Sequence, residues 1–227
     1  MCGRFSISAR EEILEKRFGA RFYTETIEKR YNIAPTDKAP VITNTSPDRI
    51  LLFQWGLIPY WSKDPSIGAR LINARDDTIA EKPAFKDSFR NKRCLVLSDG
   101  FFEWRKISTG KIPYRITLKD GDPFAYAGLW EKWKNDQGDK YTFTIITTEP
   151  NDLVKKLHNR MPVILKPEDE SVWLDQSIPL KHARQLLQPY SDDKMEIYPV
   201  STMVNSSRNE APELIEPCDY PDLFDWF

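Results

Sequence analysis

Cys2 stands directly behind the initiator methionine. Its side chain is small, so removal of Met1 by an aminopeptidase is expected, with self-cleavage as the other route. The chain end then carries an α-amine and a thiol on adjacent carbons. Their ordinary pKa values are ~7.7–8.0 and ~8.5, so both have nucleophilic forms near neutral pH. Such a 1,2-aminothiol supports two chemistries. The amine can serve as base for its own thiol, as in N-terminal nucleophile hydrolases. Alternatively, the amine condenses with an aldehyde and the thiolate closes a five-membered thiazolidine. The competing reading is a small buried residue near a frayed chain end.

Three further segments carry polar groups suited to such chemistry. Ile72-Asn73-Ala74-Arg75 places Asn73 and Arg75 on one face if the chain is extended there. An Asn holds an amine or carbonyl, and an Arg suits phosphate; the alternative is a turn residue beside a surface Arg. Asp99-Gly100-Phe101-Phe102-Glu103-Trp104 sets Glu103 among three aromatics. A carboxyl against an apolar wall has a raised pKa and trades protons near neutrality, whereas a strand-edge Glu faces water. His158, in Leu157-His158-Asn159-Arg160-Met161-Pro162, follows a predicted helix. The helix C-terminus predicts a raised pKa and a charged imidazole. His182 reads as an exposed residue of an amphipathic helix, Cys94 as part of a buried strand, and Cys218 as structural.

Composition narrows the classes. The 227 residues include three Cys and two His, too few for a disulfide framework or a multi-histidine metal centre. No metal and no cofactor is expected. Apolar content of 40% and aromatic content of 12% argue against disorder. No apolar run approaches the ~18 residues of a membrane span, and no apolar region follows the first positive charge as in a secretory signal. The expected compartment is the cytoplasm. Phosphate-loop, dinucleotide-binding, HExxH and GxSxG motifs are absent. Net charge is −1, but six acids and no Lys or Arg lie beyond Arg208, so residues 1–208 carry a net +5. A basic body is compatible with a nucleic-acid partner without requiring one.

These groups must be held by elements the sequence also outlines. Ser8-Ala9-Arg10-Glu11 reads as a capping box opening a helix over 9–18, with Gly19 closing it. Strands are predicted at Ile50–Trp55, Cys94–Leu97, Pro113–Leu118, Phe124–Trp130, Tyr141–Thr147 and Met195–Val200. Helices are predicted from Glu149 to about Leu157, near 167–174 and near 180–188. Residues 31–48 and 56–72 read as proline-rich loops. The pattern is α+β: one compact domain on mainly antiparallel, barrel-like sheet with peripheral helices.

Seven segments together resemble the SOS-response-associated peptidase family, whose members are also described as abasic-site processing proteins. They are Met1–Phe5, Tyr31–Pro35, Gln54–Pro59, Ile72–Arg75, Asp99–Trp104, His158–Pro162 and Pro199–Ser201. The resemblance spans nearly all of residues 1–217 and leaves 218–227 as an acidic, aromatic tail. It implies binding of single-stranded DNA at abasic sites and a covalent crosslink through Cys2, with lyase-type Schiff-base chemistry, in a DNA-damage response. It also implies that Asn73 positions the Cys2 amine, Glu103 moves protons and His158 assists opening of the sugar. Arg4, Arg75 and Arg160 fall at phosphate-contact positions, and Pro35, Trp61 and Trp104 at positions that shape or stack on DNA. Two other classes stay open: a cysteine peptidase acting on polypeptide, at least on Met1, and a non-covalent single-strand binding module. A monomer is expected. In the tail, Asp222-Leu223-Phe224 resembles the end of a sliding-clamp binding peptide; docking of the tail back on the domain is the other reading.

Overall fold

Short runs of β-branched and aromatic residues build most of the chain, as their propensity for a pleated, half-buried surface requires. The computed structural model describes residues 2–23, 28–108, 110–136 and 138–220. The elements in chain order begin with β1 (Phe5–Ile7), α1 (Glu11–Phe18), β2 (Arg21–Phe22), β3 (Arg30–Ile33), β4 (Lys38–Thr43) and β5 (Ser46–Trp55). Next come β6 (Asn73–Arg75), α2 (Lys86–Asn91), β7 (Arg93–Ser98), β8 (Gly100–Ile107), β9 (Gly110–Leu118), β10 (Phe124–Asn135) and β11 (Gly138–Thr148). The last are α3 (Asp152–Lys155), β12 (Met161–Pro162), α4 (Pro167–Leu174), α5 (Leu180–Gln185) and β13 (Met195–Pro199).

Strands β11, β10, β7, β4 and β5 pair in that order, and β5 returns to β11, closing a five-stranded ring. An odd number of strands cannot close by antiparallel pairs alone. The β5–β11 contact, Thr142 opposite Gln54, is accordingly parallel. A second sheet, β13-β9-β8-β1-β3, is antiparallel throughout. Phe5 joins the two: its ring meets Trp55 edge-on at 5.0 Å and Tyr126 at 5.9 Å. Trp55 in turn stacks on Phe143, its register partner on the adjoining strand β11. The fold is the expected α+β architecture on a barrel-like sheet.

Several local expectations fail for tertiary reasons. The capping box does not form. Ser8 gives its backbone N–H and its hydroxyl to Asp99, and α1 starts at Glu11 without a side-chain cap. Gly19 does close α1, in the left-handed region at φ 63°. The helix expected to start within Thr148–Asn151 and run to about Leu157 is the single turn of α3; it starts at Asp152, where Asn151 caps it by accepting from Val154 N–H. Residues 31–48 are mostly strand, not loop. Pro40 fits within β4 because pairing with β7 begins only at Val41. The stretch 56–72 is irregular apart from a 3-10 segment at Pro65–Arg70. There Gly56 (φ 114°) crosses Gly68 so closely that a β-carbon would lie 2.5 Å from its carbonyl oxygen.

The C-terminal segment folds along β13: Cys218 N–H donates to the Pro199 carbonyl and the Tyr220 hydroxyl to the Val200 carbonyl. Asp222, Leu223 and Phe224 lie outside the described residues. Among the described residues no helix is long and apolar enough to cross a membrane.

Candidate active site

Only Gly3 and Arg4 separate Cys2 from β1, so whatever pins β1 places the thiol. Asp99 does the pinning. Its buried carboxylate accepts from Ser6 Oγ (2.6 Å), Ser8 Oγ (2.7 Å), the Ala9 N–H (3.1 Å) and Arg115 Nη2 (3.1 Å). Phe102 N–H then donates to the Arg4 carbonyl, carrying the chain end along β8. Cys2 is fully buried.

Asn73 reaches the same point from the barrel. Its strand pairs with β11 at Ile145, and Trp55 Nε1 holds the preceding Ile72 carbonyl at 2.8 Å. The extended backbone expected for Asn73–Arg75 is found. Asn73 Nδ2 donates to the Cys2 carbonyl at 2.8 Å. Its Oδ1 is buried with no hydrogen-bond partner among the described residues. The amide therefore anchors Cys2 with one end and keeps an acceptor open with the other.

Glu103 is 4% exposed. Burial raises its pKa, with the positive N-terminus of the chain pulling the other way. Burial likewise raises the Cys2 thiol, and the Glu103 charge adds to the effect. His158 lies on the turn after α3, as its sequence position suggests, but its pKa moves opposite to expectation. Partial burial and the N-terminal charge lower it, against the Arg160 carbonyl 3.2 Å from Nδ1. One turn of helix has little macrodipole to offer, so desolvation wins. Nδ1 faces the Arg160 N–H at 3.0 Å as well as the Arg160 carbonyl, so the backbone of Arg160 fixes the ring in place whichever nitrogen carries the proton. Glu103 is thus shifted up from the carboxylate range and His158 down from the imidazole range, so the two move toward each other, as suits a pair that exchanges protons.

Both line one cleft of about 660 Å³, with Trp104, Arg105, Lys106, Lys111, Lys156, Leu157 and Asn159. Trp104 Nε1 donates to Asn205 Oδ1 at 2.6 Å, which fixes the indole beside the cleft. The other sequence candidates are elsewhere or already occupied. Arg4 Nη1 donates to Asn32 Oδ1 (2.7 Å) and the Val204 carbonyl (2.9 Å). Arg75 pairs with Asp77, and Arg160 with Asp76 and the Thr147 carbonyl. Pro35 and Trp61 do not line this cleft. Pro35 occupies a turn where Thr36 holds φ 79°, and Trp61 is 49% exposed on its loop.

Sequence reading missed the basic residues Arg105, Lys106, Lys111 and Lys156. The Trp104-Arg105-Lys106 run was a visible signal, but a basic run alone reads as solvated surface. His182 is exposed and Cys94 fully buried, as expected. Among the described residues no group of three or more His, Cys, Asp or Glu side chains gathers as a metal site would need.

Known proteins resemble this chain over most of its length. The abasic site processing protein YoqW of Bacillus subtilis is 46% identical over 222 residues, covering 95% of this chain and 99% of that one. The chicken abasic site processing protein HMCES is 33% identical over 266 residues, covering 96% of this chain and 78% of its own. A crystal structure of a Bacteroides thetaiotaomicron protein superposes with a TM-score of 0.87 at 34% identity, covering 96% of this chain and all of that one. The SOS response associated peptidase (SRAP) profile matches residues 1–207, and the chain belongs to that family.

Proposed function

We propose that this protein binds single-stranded DNA at abasic sites and, once Met1 is removed, forms a covalent thiazolidine crosslink through Cys2. The names of its relatives support the substrate. The observation that carries the chemistry is Asn73 Nδ2 on the Cys2 carbonyl, 2.8 Å away, beside a cleft that holds Glu103 and His158.

An abasic sugar is mostly a closed hemiacetal. His158, whose imidazole is biased toward the neutral form, assists ring opening to the aldehyde. The Cys2 amine adds to C1′, and the aldehyde oxygen leaves as water, giving an imine. The thiol sulfur then bonds to the same carbon while its proton passes to the imine nitrogen through Glu103. A thiolate and a charged Glu103 repel each other, so handing the proton to the carboxylate removes that repulsion. The balance is aldehyde plus aminothiol giving thiazolidine plus water. Ring closure consumes the imine before β-elimination breaks the strand, so the lesion is capped. The net +5 of residues 1–208 makes non-specific binding weak and salt-sensitive, and specificity comes from the covalent step.

The test is incubation of the processed protein with abasic single-stranded DNA, followed by denaturing electrophoresis and mass spectrometry. Cys2→Ala is expected to abolish the denaturation-resistant adduct and to keep weak binding. A full-strength adduct from Cys2→Ala overturns the reading.

A further inference from the structure

Of the arginines that the family resemblance assigns to phosphates, Arg4 and Arg160 are engaged within the fold, and Arg75 pairs with Asp77 at the exposed surface. Arg75 and Arg160 face carboxylates, and Arg4 faces an amide oxygen and a carbonyl. The cleft wall has the opposite balance. Arg105, Lys106, Lys111 and Lys156 line it, with Glu103 the one carboxylate among the described residues of the lining. No hydrogen bond or ion pair holds Lys106 or Lys111 among the described residues. These two lysines stand directly opposite each other in the β8–β9 register. Like charges in that relation destabilise a hairpin. A binding partner that is a polyanion removes the penalty.

The topology shows how they reach the cleft. β1 pairs with β8 at Ser6–Gly100 and Phe5–Phe101, so Glu103–Ile107 run on past the end of β1. Side chains of both faces of that free edge therefore border the same space. Lys106 is three residues from Glu103, about 10 Å of strand. That spans no more than about three nucleotides at a 3.4 Å rise, and fewer when the strand is extended.

We propose that Lys106, Lys111 and Lys156 bind backbone phosphates of the DNA strand flanking the lesion, within about three nucleotides of the reacting sugar. This rests on the reading of Cys2 and Glu103 as the abasic-site centre. The main competitor is plain edge protection, since lysines on an unpaired strand also block pairing with another chain.

Non-covalent binding is measured with Cys2→Ala protein and an abasic oligonucleotide across a salt series. The Lys106→Gln/Lys111→Gln change is expected to flatten the slope of log K against log salt by about 1.4, at about 0.7 per single-strand phosphate contact. Affinity at low salt should fall at least tenfold. Lys156→Gln, away from the strand edge, should flatten the slope by about 0.7 without affecting solubility. In protein that retains Cys2, the lysine changes should slow crosslinking to the oligonucleotide and leave the reaction with free 2-deoxyribose, which carries no phosphate, unchanged. The free double variant should melt at the same or a higher temperature. Unchanged slopes in both variants overturn the proposal, and aggregation of the double variant with an unchanged Lys156→Gln slope assigns the cations to edge protection. If the protein retaining Cys2 forms no adduct with either substrate, the parent reading fails instead, and the salt slopes still decide the phosphate contacts.

Discussion

Asp99 and Glu103 sit four positions apart, one just before β8 and one within it, and are equally hidden, at 6% and 4% exposure. Their surroundings differ in kind. Asp99 is ringed by donors from β1 and by Arg115, whose guanidinium also contacts the Asp99 carbonyl. Its negative charge is matched on the spot, and its role is to hold the N-terminal strand in place. Glu103 borders a cleft with Trp104 as its neighbour, and burial pushes its pKa up. A proton can come and go there. Burial of a carboxylate is therefore uninformative by itself; its set of partners separates a structural pin from a group able to do acid–base work.

The largest effect that tests this contrast is on folding. Asp99→Asn strips the charge partner from buried Arg115 and should cost about 3–5 kcal/mol, read as a fall in urea midpoint. If stability barely changes, Asp99 is not the pin. Glu103→Gln should do the reverse. Crosslinking slows by about 100-fold or more, the usual contribution of a positioned proton carrier, while the fold is kept. Because the folded pKa of Glu103 is raised, stability is present in full below the ordinary carboxylate range and is lost as pH rises through the raised value. The variant should therefore melt higher than the parent at pH 7, and the advantage should vanish in acid; aggregation of Glu103→Gln would make Glu103 a structural residue like Asp99. The smallest effect concerns His158. Its folded pKa is depressed, so stability is present above its ordinary value and is lost as pH falls through the lowered one. His158→Gln should remove a modest part of the acid sensitivity below about pH 6.5 and slow crosslinking by less than Glu103→Gln does. An unchanged acid limb would mean that the imidazole does not titrate in this window.

Much of the frame was legible in the chain. The predicted strand cores fall within β5, β7, β9, β10, β11 and β13, and the helix predicted near 167–174 coincides with α4 at Pro167–Leu174. Those elements announce themselves through β-branched runs and a proline at the first helical turn, which act over a few residues. The failures share one cause. Ser8 carries an N-cap signature but gives its donors to Asp99, in the bend between β7 and β8 far along the chain. Tyr31–Ile33 and Lys38–Thr43 look like loop because Pro35 and Pro40 punctuate them, yet neighbouring strands supply the pairing. The cationic wall stayed hidden because Lys106, Lys111 and Lys156 acquire a shared space only when the β8–β9 hairpin meets the turn after α3.

What the sequence alone determined is covalent or strictly local. The amine and thiol of Cys2 are adjacent by bonding, and the β-rich order of elements follows from short-range patterning. Tertiary structure decided everything that depends on distance and solvent. It brought Asn73 to the Cys2 carbonyl, placed Glu103 and His158 on one cleft, and reversed the pKa expected for His158. The reason is physical: a protonation state depends on the water and charge within a few ångströms, and in a folded chain those neighbours come from strands that sequence spacing does not reveal.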